Sequence, residues 1–345
     1  MTCRDCLRVG MFEWNAPAMR SFPSISDQEI LAHRGIRNHV DESQPGHVLV
    51  ERELSARRQL ETVGTVFLTN RECPFRCLMC DLWKNTTEHT VAAGAIPHQI
   101  AVARSRFEEL CEQQTLTLPA HIKLYNSGNF FDAQAIPRDD WAEIAKQVGA
   151  YHSVIVENHP RLCGPGCIEF RDLCDTTLEI AMGLESSDEQ TLRRLNKRMT
   201  VTDFSRACEF LLAHGIRLRS FVLLKPPGLT EEQGIEQAIR SVQFAVNCGV
   251  DCCAVIPTRG GNGILEVLSR DGFFQPPLLS SLEAVMEEIV GWGRARCFAD
   301  LWDLQQFSAC DHCFTDRRER LRRMNETQQV LPAVRCDVCT HSRDV

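Results

Sequence analysis

Residues 65–80 read TVFLTNRECPFRCLMC, and this stretch decides the fold. Residues 65–70 form a short run of apolar and β-branched side chains bounded by charge, which predicts a strand. Directly after it come Cys73, Cys77 and Cys80, three cysteines within eight residues, on what must then be a loop. Iron–sulfur clusters are held by such thiolates. Three sulfurs on a four-iron cubane leave one iron open, and an open position separates a catalytic metal site from a closed structural one. A zinc ion borrowing a remote fourth ligand and buried core thiols are the competing readings.

Working outward, further strands are predicted at 122–127, 153–157, 178–184, 218–224 and 252–257, mostly apolar runs as in parallel strands covered on both faces. Helical patterns lie between them. Residues 137–148 repeat Trp141, Ile144 and Val148, and residues 201–214 put Phe204, Ala207, Cys208 and Leu211 on one face. In 230–248, Thr230 and Gln233 suit a capping box, and Gly249 suits the stop. Repeated βα units imply a parallel sheet, and six units are too few for the eight-stranded barrel. No Gly-x-Gly-x-x-Gly follows the first strand, which weakens a dinucleotide-binding reading. The expected fold is α/β: a partial (β/α)6 TIM-like barrel over 62–270. A helical and irregular lead-in occupies 1–61, and a Cys-rich extension with a helix at 279–292 occupies 271–345.

The chain has 345 residues, 43% hydrophobic and 24% charged, enough to fold and bury a core. No apolar run approaches the ~20 residues of a membrane helix, and the first residues lack a secretory h-region, so a cytoplasmic protein with no membrane partner is expected. A net charge of −8 argues against a wholesale polyanion binder. The 18 cysteines are the anomaly, grouped as Cys3/Cys6, Cys73/Cys77/Cys80, Cys163/Cys167, Cys310/Cys313 and Cys336/Cys339. In a cytosolic chain such grouping favours metal or catalysis over disulfides.

The Cys-x3-Cys-x2-Cys loop after the first strand of a partial barrel resembles the radical S-adenosylmethionine (SAM) superfamily. That resemblance implies a 4Fe–4S cluster on Cys73, Cys77 and Cys80, with SAM chelating the open iron. One electron would cleave SAM to methionine and a 5′-deoxyadenosyl radical that abstracts hydrogen from a substrate. An electron donor such as flavodoxin or ferredoxin is implied as partner. Ser127, Gly128 and Asn129 stand where relatives often hold the SAM amino group with Gly-Gly-Glu, Asn129 replacing the carboxylate; an ordinary strand-ending turn is the alternative. Glu185 and Ser186 stand where the ribose hydroxyls would bind, unless Glu185 is a surface carboxylate. Met79 takes the place of an aromatic residue that packs on adenine. Lys225 and Glu157, at strand ends that feed a barrel mouth, are the catalytic candidates, against the reading of solvated rim residues.

Longer stretches resemble one branch, that of the archaeosine synthase radical SAM subunit, akin to the elongator catalytic subunit. They are 125–132 (YNSGNFFD), 156–160 (VENHP), 179–185 (EIAMGLE), 223–231 (LLKPPGLTE), 310–313 (CDHC) and the Cys336/Cys339 pair. The resemblance implies a 7-deazaguanine carrying a lysine in transfer RNA as substrate, and tRNA or a tRNA-modifying partner. His159 departs from the Arg of relatives, and Cys3-Arg-Asp-Cys6 has no counterpart. A peptide or small metabolite as substrate, and a non-catalytic iron–sulfur or zinc scaffold, are the other functions in play.

Cys310, Cys313, Cys336 and Cys339 form two Cys-x2-Cys knuckles that suit tetrahedral zinc, with an auxiliary cluster or free thiols as alternatives. Cys163 and Cys167 read as a tight turn or a redox pair. The run 317–323 (RRERLRR) and the group Arg193, Arg194, Lys197 and Arg198 are either solvated faces or phosphate contacts.

Overall fold

The structure, a computed structural model, describes residues 21–341. The Cys3/Cys6 pair lies outside them. Among the described residues one sheet of eight strands runs in sequence order: β1 (His47–Leu54), β2 (Leu60–Phe67), β3 (His121–Tyr125), β4 (Ser153–Asn158), β5 (Thr177–Glu185), β6 (Arg217–Leu224), β7 (Cys252–Pro257) and β8 (Arg296–Ala299). Only the β1–β2 pair is antiparallel. The sheet curls into a nearly closed α/β barrel, and β2 to β7 are the six strands read from the sequence.

Four sequence expectations shift. The first parallel strand starts at Leu60, and 68–70 is its exit into the cysteine loop. The lead-in holds a full strand, β1, and the sheet gains β8 beyond residue 270. The fourth concerns the inner face. Outward residues such as Ile122, Leu124, Val154, Ile180, Leu218 and Val255 join the apolar core under the helices. The inward residues near the amino ends are charged. Lys123 reaches Glu53 at 2.6 Å and Glu51 at 2.9 Å, Arg219 reaches Glu53 at 2.6 Å and Glu179 at 2.7 Å, and Arg296 reaches Glu179 at 3.4 Å. Burial would raise the Glu53 carboxyl, but Arg219 and Lys123 hold it far below the usual range. This paired floor plugs the lower lumen, so the strands carry charge that an apolar-run rule does not anticipate.

Helices follow the sequence closely. Thr230 and Gln233 form the capping box of the helix Glu231–Asn247, and Thr200 with Asp203 caps Val201–Ala213. Gly64 in β2 lets the helix Ala95–Gln114 approach, since a Cβ there would fall 2.4 Å from the Phe107 ring. The helix Phe314–Thr327 packs on both edge strands, β1 and β8, and so covers the open seam. It also satisfies the free backbone of β8. The Gln328 amide accepts from Cys297 N (2.6 Å) and donates to Cys297 O (2.8 Å), and Asn325 does the same with Ala299 at 2.8 and 2.9 Å. Side-chain amides thus stand in for a missing strand.

Candidate active site at the carboxyl ends of the strands

The loop that leaves β2 carries Cys73, Cys77 and Cys80, and several elements hold its shape. Leu78 is fully buried in a small core with Ile30, Leu195, Leu223, Ile264, Leu265, Leu268 and Phe274, against which Met79 also packs. Its N–H donates to Leu195 O (2.8 Å), and its carbonyl accepts from the Asn262 amide (2.6 Å). Asn196 donates to Arg76 O at 2.7 Å. Glu72 is clasped by Arg34, Arg37 and Arg76.

The strand ends meet this loop. Asn129 donates from Nδ2 to Cys73 Sγ (3.1 Å), while its Oδ1 accepts from His159 N (2.7 Å). Gly128 lies so near that a Cβ would stand 3.2 Å from Cys73 Cβ. Ser127 adopts φ 51°, and the turn is braced by Glu157, whose Oε1 accepts from Asn126 N (2.7 Å) and Gly128 N (3.2 Å). Burial pushes the Glu157 carboxyl up to about 7, against the pull of those N–H groups. The His159 ring stacks on Phe75 of the loop, centroids 4.0 Å apart, and burial, then Lys197, lowers its pKa to about 3. It is therefore a neutral ring, with Nε2 2.9 Å from Lys197 O.

Lys197 is a buried charge beside the loop that the sequence concealed. Within a basic group it looks like surface, yet it is 7% exposed and its Nζ meets Glu185 at 2.6 Å. Burial opposes the ammonium, but Glu185 holds it charged. Glu185 itself stands at φ 62°, and Gly183 makes room for the pair, since a Cβ there would lie 2.3 Å from Glu185 Oε1.

Other candidates sit elsewhere. Ser186 turns its hydroxyl to accept from Asp188 N (3.0 Å), so it shapes the turn after β5. Lys225 was expected to point into the barrel mouth. Its backbone adopts φ 53°, and its ammonium pairs with Glu231 and Pro276 O, against the helix Glu231–Asn247. Gly234 gives it the space: a Cβ there would come 2.7 Å from Lys225 Cβ. Cys163 and Cys167 pack into the main core.

Two observations fit the residues to a cluster with SAM. Among the described residues, Cys73, Cys77 and Cys80 do not form a group whose ligand atoms all lie within 4.8 Å, as a single zinc ion would require. Burial nevertheless raises all three thiols, with Lys197 acting against it at Cys73 and Cys77, the latter reaching about 11. A cubane, whose corners spread wider than the ligands of one ion, does not carry that requirement. Second, Asn126 is fully buried beside Glu157, and among the described residues neither end of its amide finds a hydrogen-bond partner. Such a group costs about 1–3 kcal/mol unless a polar guest satisfies it.

The four late cysteines do meet: the sulfurs of Cys310, Cys313, Cys336 and Cys339 all lie within 4.8 Å, with Cys313 and Cys339 at 3.6 Å. A tetrahedral ion with bonds of ~2.3 Å needs edges of about 3.8 Å. The basic runs are largely spent on ion pairs. Arg317 and Arg320 engage Glu283 and Glu287, Arg322 engages Glu319 and Glu326, and Arg198 engages Asp27. No helix of the described residues is long and apolar enough to cross a membrane.

No family model matches the chain. It is 23% identical over 267 residues to an uncharacterised protein of Methanocaldococcus jannaschii, covering 74% of this chain and 72% of that one. It is 28% identical over 179 residues to archaeosine synthase subunit beta of Methanosarcina acetivorans, 48% of this chain and 50% of that protein. The chain thus spans half the length of that curated relative. Methylornithine synthase shares the fold with a TM-score of 0.50 at 14% identity, covering 77% of this chain and 69% of the other. The chain thus shares the barrel fold of methylornithine synthase and is similar in sequence, over half its length, to archaeosine synthase subunit beta.

Proposed function

We propose that the chain binds a 4Fe–4S cluster through Cys73, Cys77 and Cys80 and uses SAM to activate a nucleoside-type group of tRNA. The observation that carries the reading is the cysteine loop itself, seated under Gly128 and Asn129 with the Asn129 amide directed at Cys73. When bound, cluster and SAM together supply a one-electron cleavage that yields a hydrogen-abstracting radical. The chain's own residues bind and orient. Lys197 and Glu185 offer a buried charge pair beside the loop, Lys197 suiting a carboxylate and Glu185 a hydroxyl or ammonium. Asn126 offers its unpaired amide. Glu157 holds the Ser127–Gly128 turn and, with a pKa of about 7, can carry a proton near neutrality.

The substrate half of the proposal is supported by the archaeosine synthase likeness and by the upper lumen. There Phe67, Tyr125 and Phe221 form a row of partly buried rings at 6.1 Å spacings, continued by His47 and exposed Trp302. A planar base suits such a wall. The late cysteines are proposed to hold structural zinc, and flavodoxin or ferredoxin is the class of reductant.

Anaerobic reconstitution with dithionite and SAM, followed by product analysis, tests the chemistry. 5′-Deoxyadenosine is expected from the wild type and none from the triple Cys→Ala variant at Cys73, Cys77 and Cys80. Equal product from both removes the assignment, and turnover on a peptide but not on tRNA moves the substrate to another class.

A further inference from the structure

At the opposite end of the barrel, three residues that play no part in the site above converge. Glu61 lies near the start of β2, His121 opens β3, and His152 directly precedes β4. Parallel in-register pairing sets the β3 and β4 starts side by side, His121 against Ser153. One ligand atom from each of the three residues lies within 4.8 Å of the others. Glu61 Oε2 stands 3.1 Å from His121 Nε2, and Glu61 Oε1 stands 3.6 Å from His152 Nδ1. We infer that this cluster is a binding site for a divalent transition ion of the zinc class.

The surroundings orient the donors as a metal site does. His121 is buried, and its Nδ1 is 2.7 Å from Ser153 Oγ. The hydroxyl serves either role, so His121 can give Nδ1–H to Ser153 and leave the Nε2 lone pair for an ion. His152 is fixed by its backbone, which donates to Ala120 O at 2.7 Å. Its Nδ1 faces Arg57 Nη1 at 3.3 Å. A guanidinium only donates, so this nitrogen presents its lone pair inward.

Arg57 also lies 3.4 Å from Glu61 Oε1, and so holds two of the three donors at once. It is a cation standing beside the position of the proposed ion, on the turn between β1 and β2. With its side chain 53% exposed, it is free to leave. Two imidazoles and a carboxylate form a donor set that suits zinc, with a fourth position for water. That position is open, because the His152 side chain is 49% exposed and a cavity of about 110 Å³ adjoins the cluster. The amino end of a barrel is the stability end. The ion would tie the β1–β2 hairpin to β3 and β4.

The test is zinc titration of the full chain by calorimetry, with metal analysis after equilibrium dialysis, on wild type, His152→Gln, Glu61→Gln, Ser153→Ala and Arg57→Ala. All retain the four late cysteines, so zinc held there is common to every sample. His152→Gln and Glu61→Gln should each bind one equivalent less than wild type and show a smaller zinc-induced rise in melting temperature. Ser153→Ala should weaken this equivalent by roughly 10–100-fold, as loss of an orienting partner does. Arg57→Ala should tighten it, since a competing cation is removed. Circular dichroism without zinc checks folding, with half-exposed His152→Gln as the variant least able to disturb it. Equal stoichiometry in wild type, His152→Gln and Glu61→Gln overturns the site, as does weaker binding in Arg57→Ala.

Discussion

At the residue scale, each end of the Asn129 amide has a task of its own. One end donates to Cys73 Sγ and the other accepts from the His159 backbone. A hydrogen bond to a cluster sulfur favours the more negative, reduced cluster. Asn129→Ala should therefore shift the reduction potential downward in an EPR-monitored titration. It should also cost about 1–3 kcal/mol in denaturant unfolding, because His159 N is left buried and unpaired. Glu157 gives a pH prediction. Its folded pKa is about 7, above the ordinary carboxyl value of 4.5, so the folded state binds the extra proton between those values. Stability contributed by the protonated form is lost as pH rises through about 7. Glu157→Gln should remove that decline, seen as a smaller drop in melting temperature from pH 5 to pH 8 than in wild type. An equal drop in both would assign the pH dependence to other groups. The sequence exposed the cysteines and this turn, because spacing and glycine are local signals. Lys197 and Asn126 stayed hidden, because their importance lies in burial beside Glu185 and Glu157, on other strands.

At the element scale, the six parallel strands and their helices followed from apolar periodicity and caps. The two edge strands did not. In β1 the segment Glu51, Arg52 and Glu53 looks like solvated surface, yet Glu51 and Glu53 turn inward to meet Lys123. β8 has only four residues, and its pairing is completed by amides from a distant helix. Asn325→Ala should leave the N–H and C=O of Ala299 without partners and cost about 2 kcal/mol in urea unfolding. An exposed control, Thr327→Ala, should cost much less. The same helix begins at the late cysteines, with Cys313 at its N-cap. A Cys336→Ser and Cys339→Ser double variant should lose zinc by metal analysis and melt at lower temperature, while a cluster on the β2 loop keeps its iron. Iron loss in step with zinc loss would favour an auxiliary cluster at those cysteines.

At the scale of the whole molecule, charge bears on the proposed tRNA substrate. The net charge is −8, and three of the five arginines of the 317–323 run, Arg317, Arg320 and Arg322, are bound to carboxylates of the same chain. Removing Arg317 or Arg320 should thus destabilise the helix Phe314–Thr327 rather than specifically weaken RNA binding. Arg318 and Arg323 differ: both are exposed on that helix. If each meets a phosphate, the Arg318→Gln and Arg323→Gln double variant should flatten the slope of log affinity for tRNA against log salt by about 1.8, at ~0.9 per phosphate on a duplex stem. Its melting temperature should stay near that of the wild type. Phe221→Ala, inside the lumen, should lower turnover while leaving the slope unchanged, because the contact proposed for the ring row is with a base and not with the backbone. A slope equal to wild type in the arginine variant would move the RNA contact off this helix. Absence of any tRNA affinity at low salt would leave the aromatic lumen to a free metabolite or a peptide.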